Sequence, residues 1–239
     1  LDAIASVTES IRGMRSPETV VVAMTSAFGT YWLGPRLAEF RKAYPNIDLR
    51  LAVADEIVDI GKERIDVAIR YGDGGWPRLN SRFLLGSEVL PLCHQSYWEG
   101  RARPSSAADL VREVLLCLEG PPVFGNSWGE WFAHYGVQSS GGKHRITVNN
   151  FNLLVQAALS GQGIALAGYP LVDHLVESGI LAPALDIEPF RVRGGYFIVE
   201  PQGQVRKKTC DQFCQWLMDR VRRDAEAGHA ERLLEQQPA

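Results

Sequence analysis

Residues 19–26 read TVVVAMTS, and how this stretch is read decides the rest of the chain. Thr19 to Met24 is an unbroken β-branched and apolar run, the pattern of a strand buried on both faces in a parallel sheet. Thr25 and Ser26 end the run with two hydroxyls, a residue type that caps a following helix. Beyond them Leu33, Leu37, Phe40 and Tyr44 recur at i, i+4, i+7 and i+11. That spacing predicts an amphipathic helix, and Pro45 stops it. Pro35 falls inside the pattern, so the helix either kinks there or starts just before it.

Working outward, residues 47–53 alternate apolar and polar side chains and predict a second strand. Residues 57–64 predict a short helix, and 65–71 (IDVAIRY) a third strand. The β-α-β-α-β order opens a doubly wound α/β sheet. A glycine-rich loop, Gly72-Asp73-Gly74-Gly75, closes it. The extended run 83–93 then carries the chain out of a first lobe. In a second series, helices at 107–112, 128–134 and 151–160 alternate with strands at 114–118, 145–148 and 164–167. Residues 194–199 return as a strand to the first lobe, and 205–222 form a long last helix. The Ala/Glu/Gln-rich residues 225–239 are expected to be a flexible tail. Two lobes joined by two crossings leave a cleft, and ligands of such sheets sit at the carboxyl ends of strands. The loops to watch are therefore 25–29, 54–55, 70–74, 118–125, 149–151 and 168–170.

Composition excludes several classes. The 239 residues carry 25 Lys+Arg against 28 Asp+Glu, for a net charge of −3, and are 46% hydrophobic. That is too apolar for a disordered chain and too acidic for a surface devoted to nucleic acid. No apolar run approaches the roughly 18 residues of a membrane span. Four cysteines, Cys93, Cys117, Cys210 and Cys214, do not make a disulfide scaffold and suit a reducing cytoplasm. Cys210 and Cys214 lie four apart on one helical face and are expected to be core thiols rather than a metal or redox pair. The chain has no GK[ST] phosphate loop and no HExxH, and its five histidines are scattered. No metal or cofactor is expected. The basic residues Arg206-Lys207-Lys208 and Arg220, Arg222 and Arg223 are read as a solvated helix face.

Three segments carry a family resemblance: WLGPRLAEFRKAYPNIDLRL (residues 32–51), DVAIRYGDGGWPRL (66–79) and VNNFNLLVQAALSGQGIALAGYPLV (148–172). In this order they resemble the effector-binding region of LysR-type transcriptional regulators. The wording AIRYGDGGWP is most similar to the branch with the glycine-cleavage activator and the β-lactamase regulator. The resemblance implies two Rossmann-like lobes with a central cleft, a type 2 periplasmic-binding-protein-like fold, joined by two crossover strands. Lobe I takes residues 17–89 plus 192–224 and lobe II takes 90–191. Residues 1–14 become the end of a linker helix, Ile4, Val7 and Ile11 marking its spacing. A winged helix-turn-helix domain is expected upstream of Leu1. The implied partners are a small-molecule effector, further copies of the chain as a homodimer or homotetramer, and DNA through the upstream domain only, with no membrane.

The candidate pocket residues are Thr25, Ser26, Phe28, Arg70, Tyr71, Asn149, Asn150, Phe151 and Tyr169. Thr25 and Ser26 sit where a strand feeds a helix, and a helix N-terminus favours an anion. Capping alone also explains them; the resemblance is what places this turn in a pocket. Asn149-Asn150-Phe151 repeats the arrangement in the second lobe. Arg70 suits a carboxylate, or else pairs with Asp66, Asp73 or Glu56. Tyr71, Trp76, Phe124, Trp128 and Tyr169 stack on an effector or fill the core. A small anionic or zwitterionic metabolite is the expected effector.

Two other readings compete. A transport-type solute-binding protein has the same architecture and would carry an export signal. Gly125-Asn126-Ser127-Trp128-Gly129 matches the G-x-S-x-G elbow of serine hydrolases. Gly120-Pro121-Pro122 stand where its strand belongs, and Asp173 and His174 are adjacent rather than arranged as a triad.

Overall fold

The structure is a computed structural model and describes residues 18–55, 60, 63–119, 127–139, 142–203 and 206–226. The linker-helix residues 1–14, the tail from 227, most of the 57–64 helix and the stretch holding Phe124, Gly125 and Asn126 lie outside the described residues.

Among the described residues nine strands form one mixed sheet: β1 (Thr19–Met24), β2 (Asp48–Val53), β3 (Val67–Gly72), β4 (Leu79–Cys93), β5 (Val114–Leu118), β6 (His144–Val148), β7 (Ile164–Gly168), β8 (Ala182–Pro183) and β9 (Phe190–Pro201). The spatial order is β2-β1-β3-β9-β4-β7-β5-β6, with β8 beside β4. β2, β1 and β3 are mutually parallel, as are β7, β5 and β6. Between the two parallel halves run β4 and β9, antiparallel to each other and to the strands they flank. These are the two crossings. β4 has 15 residues and β9 has 12, long enough for each to serve both halves.

The crossings pinch where Gly86 faces Gly195. A Cβ on Gly195 would stand 2.7 Å from the Leu85 carbonyl oxygen, so glycine is what permits this approach. Register shifts fall on either side, between Phe83 and Leu85 and between Gly86 and Glu88. Such bulges re-aim side chains, and Ser87 lies within this one.

The helical passage after β1 resolves the question posed by Pro35. A π turn (Phe28–Leu33) leads into a 3-10 turn (Gly34–Arg36) and then an α-helix, α1 (Leu37–Ala43). Proline cannot donate to the preceding turn. The amide of Gly34 reaches back five residues to the Gly29 carbonyl, and the ladder resumes beyond Pro35. The remaining α-helices are α2 (Trp128–His134), α3 (Phe151–Leu159), α4 (Tyr169–Glu177) and α5 (Lys208–Asp224). Residues 107–112 form a 3-10 helix.

One apolar core joins Val20, Val22, Phe28, Trp32 and Phe40 to Phe213, Trp216 and Leu217 of α5, and runs on to Leu154 and Val155 of α3. A second surrounds Trp128, Trp131 and Phe132 beneath the second half. The basic residues read as a solvated face of the last helix are mostly exposed, and most of them are also ion-paired. Arg206 meets Glu200, Lys207 meets Asp66, Arg220 and Arg223 meet Glu39, and Arg222 meets Asp219.

Candidate functional site

In each half a strand ends, a polar residue caps, and a helix begins. At the first, the Thr25 hydroxyl accepts the amide of Phe28 at 3.3 Å. At the second, the Asn150 side chain accepts the amide of Leu153 at 3.1 Å. Both are ordinary N-caps. Asp55, in the loop after β2, joins them. Its carboxylate accepts the Ser26 amide at 2.8 Å, the Ser26 hydroxyl at 2.8 Å and the Asn150 side-chain amide at 2.9 Å. A carboxylate of the protein therefore sits at the first helix N-terminus, where the sequence predicts that an anion is favoured. The Asn152 side chain adds a 3.2 Å bond across to the Thr30 hydroxyl.

Beside this junction is a cavity of about 220 Å³. Thr25, Asp55 and Tyr71 line it from the first half; Leu118, Glu119, Asn149 and Phe151 from the second; Ser87 and Tyr196 from the crossings. Among the described residues its charged lining side chains, Asp55 and Glu119, are both acidic. Tyr71 and Tyr196 meet edge to face with centroids 5.0 Å apart. Burial pushes the Tyr71 phenol up to about 12, against a hydrogen bond with Ser87 that lowers it. Burial, helped by Tyr71 and Asp55, pushes Tyr196 up as well. Both phenols are neutral at pH 7, and the Tyr71 hydroxyl donates to the Arg193 carbonyl at 3.3 Å.

The structure brings Thr25, Tyr71, Asn149 and Phe151 to the cavity wall, and Ser26 and Asn150 to its Asp55 edge. Arg70 lies one step away, in an adjoining hollow of about 100 Å³ that shares Thr25, Asp55 and Tyr71. Its guanidinium stands 5.8 Å over the Trp76 ring. Asp66 is occupied by the Val21 amide and Lys207. Two expected positions differ. Phe28 is 0% exposed, stacked on Trp32 and tilted against Tyr196, because it projects from the turn into the core. It backs the cavity rather than lining it. Tyr169 begins α4 and faces a separate groove. Trp128 is also buried, its indole N–H donating to the Leu116 carbonyl at 2.9 Å.

That second groove, about 400 Å³, runs between the π turn, α4 and α5. Several of its charges are engaged with one another. Arg36, 10% exposed, meets Asp173 at 3.4 Å and Asp224 at 3.0 Å, and Arg220 meets Asp224 at 2.7 Å. The smaller cavity is the better site, because strand ends and helix caps from both halves converge there.

Sequence reasoning missed Ser87 and Tyr196 as lining residues, and flagged Asp55 and Glu119 only through their loops. Ser87 and Tyr196 lie in extended runs where alternation signals burial and nothing signals a cavity. Ser127 has a structural use: its hydroxyl is 2.8 Å from the Glu130 carboxylate and accepts the Glu130 amide, a capping box at the start of α2.

Known proteins resemble this chain in sequence and in fold. The HTH-type transcriptional activator AmpR of Enterobacter cloacae is 28% identical over 226 residues, covering 93% of this chain and 74% of that protein. The glycine cleavage system transcriptional activator of Escherichia coli K12 is 25% identical over 224 residues, covering 93% and 72%. The solved effector domain of AmpR from Pseudomonas aeruginosa superposes with a TM-score of 0.72 at 26% identity, covering 88% of this chain and 98% of that one. The pattern of the LysR substrate binding domain matches residues 15–222, through both halves of the sheet and nearly all of the last helix. By that match the chain belongs to the family of LysR substrate-binding domains.

Proposed function

We propose that the chain binds a small metabolite in the cavity between its two halves and passes the binding event to a DNA-reading domain of the same regulator, without transforming the ligand. The observation that carries this reading is the Ser26–Asp55–Asn150 junction, where side chains from both halves meet at the cavity edge. A ligand that changes this junction changes how the halves sit together. A difference in affinity between two such arrangements is the signal itself.

The lining narrows the ligand. Asp55 and Glu119 call for an amine or other donor, and Asp55 must yield the first helix N-terminus before a ligand carboxylate can use it. A zwitterion satisfies both demands and a dianion only the second. Thr25, Ser26, Asn149 and Asn150 then hydrogen-bond the polar atoms, Tyr71 and Phe151 pack, and Arg70 balances charge from the adjoining hollow. Lobe I takes residues 17–89 plus 192–224 and lobe II takes 90–191, so that β4 and β9 carry the hinge. The relatives' names as transcriptional activators support regulation over transport or hydrolysis. Among the described residues no helix is long and apolar enough to cross a membrane, which suits a cytoplasmic regulator. Homodimers or homotetramers belong to the same reading.

The test is a thermal-shift screen of amino acids, dipeptides and dicarboxylates, followed by calorimetry on the wild type, Ser26→Ala and Asn150→Ala. A zwitterion that binds the wild type at least about tenfold more tightly than either variant supports the assignment; about 1.4 kcal/mol corresponds to that factor. Equal affinity for all three removes these residues from the pocket.

A further inference from the structure

Away from the cavity, the thiols of Cys210 and Cys214 and a carboxylate oxygen of Glu200 lie within 4.8 Å of one another. Glu200 belongs to the end of β9, and the two cysteines to the first two turns of α5. Cys210 is 2% exposed and Cys214 1%, and the Cys210 thiol is 3.8 Å from the Glu200 carboxylate. We propose that Cys210, Cys214 and Glu200 form a site for a thiophilic divalent cation of the zinc class.

The helix supplies the geometry. Residues four apart share one face, the spacing by which a helix offers two ligands to one metal. Their Cβ atoms stand about 5–6 Å apart. That is wider than the roughly 3.5–4.5 Å of a disulfide, so bridging by a metal is easier than bridging by oxidation. Zinc takes thiolate sulfur at about 2.3 Å and carboxylate oxygen at about 2.0–2.2 Å. A tetrahedron with such bonds holds its ligand atoms a little under 4 Å apart, and the 3.8 Å between Cys210 and Glu200 is of that size.

Charge also balances. Two thiolates and a carboxylate carry three negative charges; a divalent cation and the Arg206 guanidinium carry three positive ones. Arg206 stands 2.6 Å from Glu200 and 2.9 Å from Asp211, so it can lean on Asp211 when Glu200 turns to a metal. A bound cation ties the last helix to the end of a crossover strand and releases the two thiol protons to solvent. This inference does not depend on the effector reading.

Cobalt(II) is the probe, added to the purified, metal-free chain kept reduced by a phosphine. The wild type should develop a thiolate-to-metal charge-transfer band that saturates at one equivalent. Cys93→Ser/Cys117→Ser should keep it, Cys210→Ser and Cys214→Ser should lose it, and Glu200→Gln should need at least about tenfold more metal. Zinc should raise the wild-type melting temperature and a chelator should reverse the rise, a readout that stands even if a cysteine variant folds poorly. No band in the wild type, or a band undiminished in Cys210→Ser and Cys214→Ser, overturns the proposal.

Discussion

The two halves of this protein touch on two sides, and the contacts differ in kind. At the cavity the junction is polar and short-ranged: a serine, an asparagine and one carboxylate, beside open space of about 220 Å³. At the groove behind, Arg36 is nearly buried against Asp173 and Asp224, with Arg220 completing the network. The bonds to Asp55 are exposed, where a hydrogen bond is worth about 0.5–1.5 kcal/mol net, and a ligand bringing equivalent groups can replace them. A buried charge network has no replacement at hand, and breaking it strands its partners. On the proposed reading, the first junction is exchanged on binding and the second is kept.

The largest effect should come from the kept side. Arg36→Ala should lower unfolding stability by about 3–5 kcal/mol in urea denaturation, because Asp173 and Asp224 lose their buried cation. The deficit should depend on pH. Burial raises the Asp224 carboxyl above its ordinary range, with Arg36 and Arg220 opposing. A folded-state value above the unfolded one means that the fold gains from protonation, so this contribution is present in acid and lost as pH rises through the folded value. Removing Arg36 strengthens the effect. Urea titrations at successive pH values should show the Arg36→Ala deficit largest near neutrality and shrinking as pH falls; a flat deficit would break the link between Arg36 and Asp224.

Asn150→Ala should cost less, about 1 kcal/mol, since it removes the cap of α3 along with one bond to Asp55. Asp55→Asn should lower stability by about 1 kcal/mol, because an asparagine keeps one oxygen for the Ser26 amide but turns a donor toward the Asn150 side-chain amide. Its effect should also appear in binding: a preference for zwitterions over dicarboxylates should weaken in a thermal-shift comparison with the wild type. A loss near that of Arg36→Ala would erase the contrast between the two sides.

Much of this was legible in the sequence. Thr19–Met24 announced the parallel sheet because a strand buried on both faces has no polar alternation to hide it. Asn150 announced a cap because its side chain satisfies a helix amide locally. The groove behind was not legible. Helix α4 carries only weak signals, Pro170 in its first turn and the 171, 172, 175 apolar spacing. Arg36 is separated from Asp173 by 137 residues and from Asp224 by 188, and such long-range pairs leave no local pattern. Phe28 was misplaced for a similar reason. Its position on a cleft-side turn is local information, and its burial against Tyr196 depends on β9.

The smallest effect lies far from both junctions. Hydrogen bonds from Ser106 and Ser105 hold the exposed Asp109 carboxyl below its ordinary range. A lowered folded-state value means stability that is present above the unfolded pKa and lost as pH falls through the folded one. Asp109→Asn should therefore flatten the acid limb of the stability profile slightly, leaving ligand preference untouched in the same thermal-shift assay.

The most direct measurement maps amide NMR shifts while the tightest ligand from the zwitterion screen is titrated into the isotopically labelled chain. The account predicts that the perturbed amides gather at residues 25–26, 55, 118–119, 149–151 and 168, around the exchangeable junction. Perturbations gathered instead at Arg36, Asp173, His174 and Asp224 would contradict it and move the binding site to the groove behind.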